Sequence, residues 1–250
     1  MRLVSLCPSM TESLVALGAG PDLVGVTRYC VHPAGALAAV RRVGGTKNPD
    51  LAAIRELAPD LVFANAEENR ASDVEALSRC HRLHVSHPRS PAEVPGLLRR
   101  VGALVGRDAE AEAWARRVEE ALSRAEALRG EPFRFVCLIW KGPWMAAGPR
   151  TYLSAVLALS GGTNALDGSG GPDYPVVTEA EVVALRPDRV FLPDEPYPFG
   201  EEDARYWRER VPGARVLSVP GDDVCWHGVR TLRGIEVAIG LATGAPARGC

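Results

Sequence analysis

Residues 108–129 read DAEAEAWARRVEEALSRAEALR, and this stretch decides the fold because it separates two halves of the chain that resemble each other. Asp108 is placed to cap a helix and Gly130 follows its end. Glu112 with Arg116, and Glu120 with Arg124, are i,i+4 pairs of the favourable orientation. Trp114, Val118, Ala121, Leu122, Ala125 and Leu128 recur every three or four residues and make one apolar stripe on a charged rod. On either side of the rod, LAPDLVF at 57–63 returns as LRPDRVF at 185–191, an offset of 128 residues (187 minus 59), and Glu67 and Glu195 keep that offset. Val4-Ser5-Leu6 has a counterpart in Val136-Cys137-Leu138, and LVALG at 14–18 resembles VLALS at 156–160. A period this long marks a duplicated domain, not a solenoid. The expected organisation is an N-terminal lobe over 1–106, a connecting helix over 107–130 and a C-terminal lobe over 131–250.

Each half alternates short apolar strands with helical segments of about ten residues, the pattern of parallel α/β sheets. In the first half, strands are expected at 2–7, 23–27, 60–64 and 82–85. Helices are expected at 10–17, opened by a Ser9-x-x-Glu12 capping box, at 50–57 behind Asn48 and Pro49, and at 73–79 and 94–105. In the second half, strands are expected at 133–139 and 188–192. Thr178 with Glu181 opens a helix that ends at Leu185, and a last helix covers 231–241. The fold class is therefore α/β: two lobes with short, mainly parallel sheets flanked by helices, joined by one long helix.

With 250 residues, 46% of them hydrophobic, the chain can fill two small cores. A net charge of −2, with Arg and Lys scattered along the chain, gives no nucleic-acid face. No apolar run approaches the roughly 20 residues of a membrane-spanning helix. Six cysteines, Cys7, Cys30, Cys80, Cys137, Cys225 and Cys250, show no CxxC pairing and read as reduced and mostly buried. No catalytic motif occurs, so the chain reads as a non-enzyme. His81, His84 and His87 recur along one predicted strand and its exit as a histidine-rich metal candidate, and His32 and His227 lie in loops from which either could approach a bound metal centre.

In parallel α/β sheets ligands gather at the carboxyl ends of strands. The loops expected there carry Tyr29, His32, Trp140, Trp144, Tyr197, Phe199, Trp226 and His227, although only 6% of the chain is aromatic. Such rings suit a large, flat, partly apolar ligand in a cleft between the lobes. A glycine-rich loop over 168–175 and the segment WKGPWMAAG at 140–148 flank that region.

Together, SLCPSMTE at 5–12 with Leu17-Gly18, Val24-Gly25-Val26, Val43-Gly44-Gly45, residues 57–63, 140–148 and 226–230 give a resemblance to the cobalamin-binding substrate receptors of ABC importers. These are helical-backbone metal receptors of the class III periplasmic-binding-protein fold, a group that also includes haem and ferric-siderophore binders. The resemblance runs from about residue 2 to residue 241. It implies two α/β lobes bridged by one helix, a cobalt corrinoid such as cobalamin held between them, and no catalytic cofactor. It also implies an ABC permease that docks one acidic residue per lobe. Glu67 and Glu195 are the natural pair, with Glu68 and Glu202 as substitutes. A haem or siderophore ligand is the nearest alternative, for which Arg28, Arg150 and Arg230 are the candidate anion partners. The other is a cytoplasmic corrinoid-processing protein using Cys7, Cys30, Cys137 and Cys225. The written start, MRLVSL, lacks a secretory signal, which predicts a cytoplasmic protein as written and an extracytoplasmic one if the chain is a processed form.

Overall fold

The computed structural model describes residues 1–166 and 171–244. Residues Met1–Pro88, Glu93–Val118 and His227–Arg230 form one compact unit, unit 1, and the remaining described residues form unit 2. In chain order the elements of the first half are β1 (Leu3–Ser5), α1 (Pro8–Ala16), β2 (Leu23–Val26), α2 (Ala34–Leu37), β3 (Arg41–Arg42), α3 (Leu51–Glu56), β4 (Leu61–Asn65), α4 (Ala71–Ser78), β5 (Leu83–Ser86) and α5 (Val94–Val105). There follow α6 (Asp108–Ala127), β6 (Phe133–Trp140), β7 (Met145–Ala146), α7 (Tyr152–Ala158), β8 (Gly162–Asn164), α8 (Glu179–Ala184), β9 (Arg189–Pro193), α9 (Glu201–Arg210), β10 (Arg215–Val219), α10 (Gly221–Cys225) and α11 (Thr231–Thr243).

Unit 1 holds a five-stranded sheet in the order β3-β2-β1-β4-β5, parallel throughout. The strand order reverses beside β1, so the carboxyl ends of β1 and β4 flank the topological switch point, where such sheets place ligands. One face of the sheet packs on α1, α5 and the start of α6 through Leu3, Met10, Leu14, Phe63, Leu97 and Val101. The other face packs on α3 through Val4, Val62 and Ile54. Unit 2 repeats the plan in the order β10-β9-β6, with β6 extended along its other edge by β8 in parallel and by β7 in antiparallel pairing. Its switch point lies between β6 and β9.

The repeated phrase explains itself at atomic level. Ala58 and Arg186, each the residue before a proline, close α3 and α8 with φ of 42° and 46°. Proline keeps its predecessor out of the right-handed helical region, so the chain turns into the left-handed one to end the helix. The Asp that follows then fastens the first strand of its unit. Asp60 accepts the Arg2 backbone N–H at 2.7 Å and Asp188 that of Arg134 at 2.6 Å, and each Asp returns its own N–H to the same residue's carbonyl at 2.9 Å.

Several local expectations change. Asp108 is the first residue of α6 and not its cap, and the helix ends at Ala127, ahead of Gly130. The stripe Val118, Ala121, Ala125 is buried, as are Ala111 and Ala115, while Leu128 lies beyond the helix and is exposed. The Glu112–Arg116 pair forms at 2.8 Å, but Arg124 pairs with Glu236 of α11. The Ser9/Glu12 capping box does not form: α1 starts at Pro8, behind Cys7, with no side-chain cap. Asp50, not Asn48, caps α3 by accepting from Ala52 and Ala53. The Thr178/Glu181 box is present. Residues 168–170 of the glycine-rich loop, and Cys250, lie outside the described residues.

Candidate functional site

In unit 1 the switch point is occupied by the chain's own late segment. Residues His227–Arg230 belong to this unit although both neighbours, Trp226 and Thr231, belong to unit 2. His227 is buried, with Nε2 3.1 Å from Ser9 Oγ, 3.2 Å from Asn65 Nδ2 and 4.0 Å from Cys7 Sγ. Asn65 Oδ1 accepts the backbone N–H groups of Glu67 (2.9 Å) and Glu68 (3.0 Å), which orients the amide so that its nitrogen faces the ring. An amide nitrogen only donates, so Nε2 is the acceptor and His227 is the neutral Nδ1–H tautomer. Burial, with His87 nearby, lowers its pKa to about 4. A proton on Nε2 would also face the amide N–H.

The rest of the segment is held as firmly. Gly228 has φ 79°, and a Cβ there would lie 2.0 Å from Ser13 Oγ. Val229 N–H donates to Ser13 Oγ at 3.2 Å. Arg230 makes a two-pronged ion pair with Glu12, Nε to Oε2 at 2.7 Å and Nη2 to Oε1 at 3.0 Å, its side chain 2% exposed against 17% for Glu12. Asn69 completes the frame: Oδ1 accepts from Asn65 N at 2.8 Å, and Nδ2 donates to the Leu6 and Thr46 carbonyls at 3.2 and 2.9 Å.

Around this polar plug stand the loops of unit 1. Tyr29 is exposed with the Arg28 guanidinium over its ring at 5.2 Å, and His32 is half-buried on the same loop. Glu67 follows the end of β4. Its carboxylate meets His87 Nε2 at 3.4 Å, and its backbone carbonyl accepts from Lys47 Nζ.

In unit 2 the strand ends carry aromatic rings. Trp140 ends β6 and is 42% exposed, with its ring edge-on to Tyr197 at 5.5 Å; Tyr197 follows the end of β9. These two meet at the switch point of the second sheet. Tyr197 leads inward to Phe199 at 4.7 Å, and Phe199 to Trp144, stacked at 6.1 Å. Phe199 is only 7% exposed and Trp144 packs on the fully buried Trp207 at 5.1 Å, so these two rings belong mainly to the core and support the outer pair. Lys141 braces the turn through Asp203 at 2.7 Å. Glu195 is exposed immediately beyond β9, the counterpart of Glu67 beyond β4. Trp226 is half-buried at the end of α10.

The structure thus brings together Trp140, Tyr197, Phe199 and Trp144 in unit 2, keeps Tyr29 and His32 on one loop of unit 1, and turns His227 inward as a support. Sequence reasoning missed the roles of Ser9, Glu12, Asn65 and Asn69, and it offered Arg230 to an anionic ligand where the structure pairs it with Glu12. The S-x-x-E spacing drew Ser9 and Glu12 into a capping box, and Asn65 aligns with Pro193 across the repeat, which hides it.

Three of the four candidate thiols are shut away, while Cys225 is half-buried at the end of α10. Cys7, Cys30 and Cys137 are buried, and burial raises each thiol pKa, that of Cys7 to about 12, so the reactive thiolate is suppressed. Of the three candidate anion partners, Arg230 is committed to Glu12 and Arg150 to Asp173 at 3.0 Å. Among the described residues, no three His, Cys, Asp or Glu side chains are arranged to hold a metal, and no helix is long and apolar enough to cross a membrane.

The sequence profile of the periplasmic binding proteins matches residues 3–203. A vitamin B12-binding protein of Vibrio vulnificus (strain YJ016) is 24% identical over 197 residues, covering 76% of this chain and 70% of the relative. The ABC transporter substrate-binding lipoprotein YvrC of Bacillus subtilis (strain 168) is 26% identical over 248 residues, covering 94% and 77%. Two solved structures share the fold. The periplasmic vitamin B12 binding protein BtuF of Vibrio cholerae has a TM-score of 0.85 at 22% identity, covering 98% of this chain and 97% of that one. The periplasmic heme-binding protein RhuT of Roseiflexus sp. RS-1 has 0.79 at 23%, covering 98% of both.

Proposed function

The chain belongs to the periplasmic binding protein family, and on that premise we propose that it is a non-enzymatic receptor for a cobalamin-like cobalt corrinoid, acting outside the cytoplasmic membrane for an ABC importer. The observation that carries the reading is the pairing of exposed Trp140 with half-buried Tyr197 at the switch point of unit 2, in a chain whose relatives include vitamin B12-binding proteins. A ring pair at this place offers face and edge contacts to a flat macrocycle at little cost in side-chain entropy. Trp226 of unit 2 and Tyr29 and His32 of unit 1 are the further proposed contacts; Trp144 and Phe199 act from behind the first pair. Glu67 and Glu195, equivalent positions beyond β4 and β9, are proposed to meet cationic groups of the permease. Haem is the second reading, favoured by the RhuT likeness. The commitment of Arg230 and Arg150 to ion pairs weighs against a strongly anionic ligand such as a siderophore.

The test is a calorimetric and absorbance titration of the protein with cyanocobalamin, with haem as comparison. One-to-one corrinoid binding, weakened about tenfold or more by Trp140→Ala or Trp226→Ala with an unchanged circular dichroism spectrum, is the expected result. Saturable haem binding with no corrinoid response would replace the reading, and unaltered affinity in both variants would remove these rings from the site.

A further inference from the structure

A recess lies in unit 1, at the carboxyl end of the edge strand β5. It is a polar cavity of about 100 Å³ lined by His84, Ser86, His87, Glu93, Leu97 and Arg100. That volume holds several waters or one small oxyanion. Two of its groups lack what an anion would bring. His84 Nε2 is buried without a hydrogen-bond partner among the described residues, its ring held edge-on against Phe63 at 5.7 Å. A buried imidazole nitrogen in that state is costly unless something enters to pair with it. Arg100 supplies the charge. The guanidinium folds back along α5 over Gly96, where a Cβ would lie 3.4 Å from Nη1, and the missing side chain at that position gives it the room. Burial and the charge of Arg100 together lower the pKa of His84. Imidazole and guanidinium line the same small recess, so a single anion held there can meet both. Glu93 stands at the same recess and limits the charge it accepts.

From this geometry we infer that the recess is a small-oxyanion site, in which one phosphate-type or carboxylate oxygen bridges His84 Nε2–H and the Arg100 guanidinium. The inference is independent of the corrinoid reading. A planar guanidinium fork beside an N–H donor matches the lone-pair directions of such an oxygen, and Ser86 adds a hydroxyl. The anion would be either a free ion or an acidic group borne by a larger ligand.

The experiment follows the imidazole resonances of the intact protein by NMR, with His84 assigned from a His84→Gln variant, during titration with inorganic phosphate and then with cyanocobalamin, which carries a phosphodiester. Chloride at matched ionic strength is the control. A saturable shift of His84 with phosphate, with the titration of His84 moved to higher pH and the His227 resonance unmoved, is expected. Arg100→Gln should weaken it about tenfold or more, Arg100→Lys should weaken it less because it keeps the charge and loses only the fork, and Glu93→Gln should tighten it. Movement with phosphate alone assigns the recess to a free ion, and movement with cyanocobalamin assigns it to the ligand's own acidic group. A His84 resonance that stays still with both, or that moves equally in Arg100→Gln, overturns the site.

Discussion

Replacing Glu12 by Gln removes the counter-charge of the most deeply buried cation in unit 1. The Arg230 side chain is 2% exposed and uses Nε and Nη2 on the two Glu12 oxygens, so the variant leaves a guanidinium that water hardly reaches facing a neutral amide. Breaking one side of a buried pair costs about 3–5 kcal/mol. Glu12 keeps 17% of its exposure, which puts the expected loss at the lower end, about 3 kcal/mol. For a chain of this size that corresponds to a fall in Tm of roughly 6–12 °C. Arg230→Met should cost less, because it leaves a carboxylate with some access to water and fills the space with apolar atoms. The double variant Glu12→Gln/Arg230→Met should then be more stable than the sum of the two losses implies, with a coupling of about 2 kcal/mol. Urea unfolding of the four proteins, followed by circular dichroism, measures the cycle. A Glu12→Gln loss under about 0.5 kcal/mol, or a strictly additive cycle, would refute the view that this pair anchors residues 227–230 to α1.

Two further outcomes follow from the same frame. His227 has its folded pKa lowered to about 4 from the ordinary 6.5, so between those values the unfolded chain binds the extra proton. Its contribution is complete above pH 6.5 and declines as pH falls towards 4, by about 3 kcal/mol in total; His227→Asn should flatten the urea midpoint across that window, and an unchanged pH profile would contradict the buried neutral tautomer. Asp60→Ala and Asp188→Ala should each cost about 0.5–1.5 kcal/mol in denaturant unfolding, because each strips the equivalent exposed backbone N–H of a charged acceptor; loss from only one of them would break the equivalence of the two clamps.

Much of the architecture was legible because its signals are local. The L-x-P-D phrase carries its own causes, a proline that ends a helix and a carboxylate that fastens the next strand, and so its two copies announce two like units. The Thr178 capping box was read correctly for the same reason: donor and acceptor are three residues apart. The identical spacing at Ser9 and Glu12 misled, because both side chains are taken by partners 218 residues away. Trp140 and Tyr197 lie at strand ends, as the alternation of elements implies, but the division of the rings into exposed Trp140 and buried Phe199 depends on Trp207 and Trp144 packing behind them.

The sequence by itself determined the duplicated α/β plan, the long helix and the family, since periodicity, proline and capping act within a few residues of chain. Only the tertiary structure decided that His227–Arg230 belongs to unit 1, that Asn65 orients the His227 ring across 162 residues, and that His84 and Arg100 line one recess. A side chain's capacity to donate or accept is written in its own chemistry. Which group satisfies it is settled by the fold that brings distant backbone together, because burial forces every such group to find a partner wherever in the chain that partner lies.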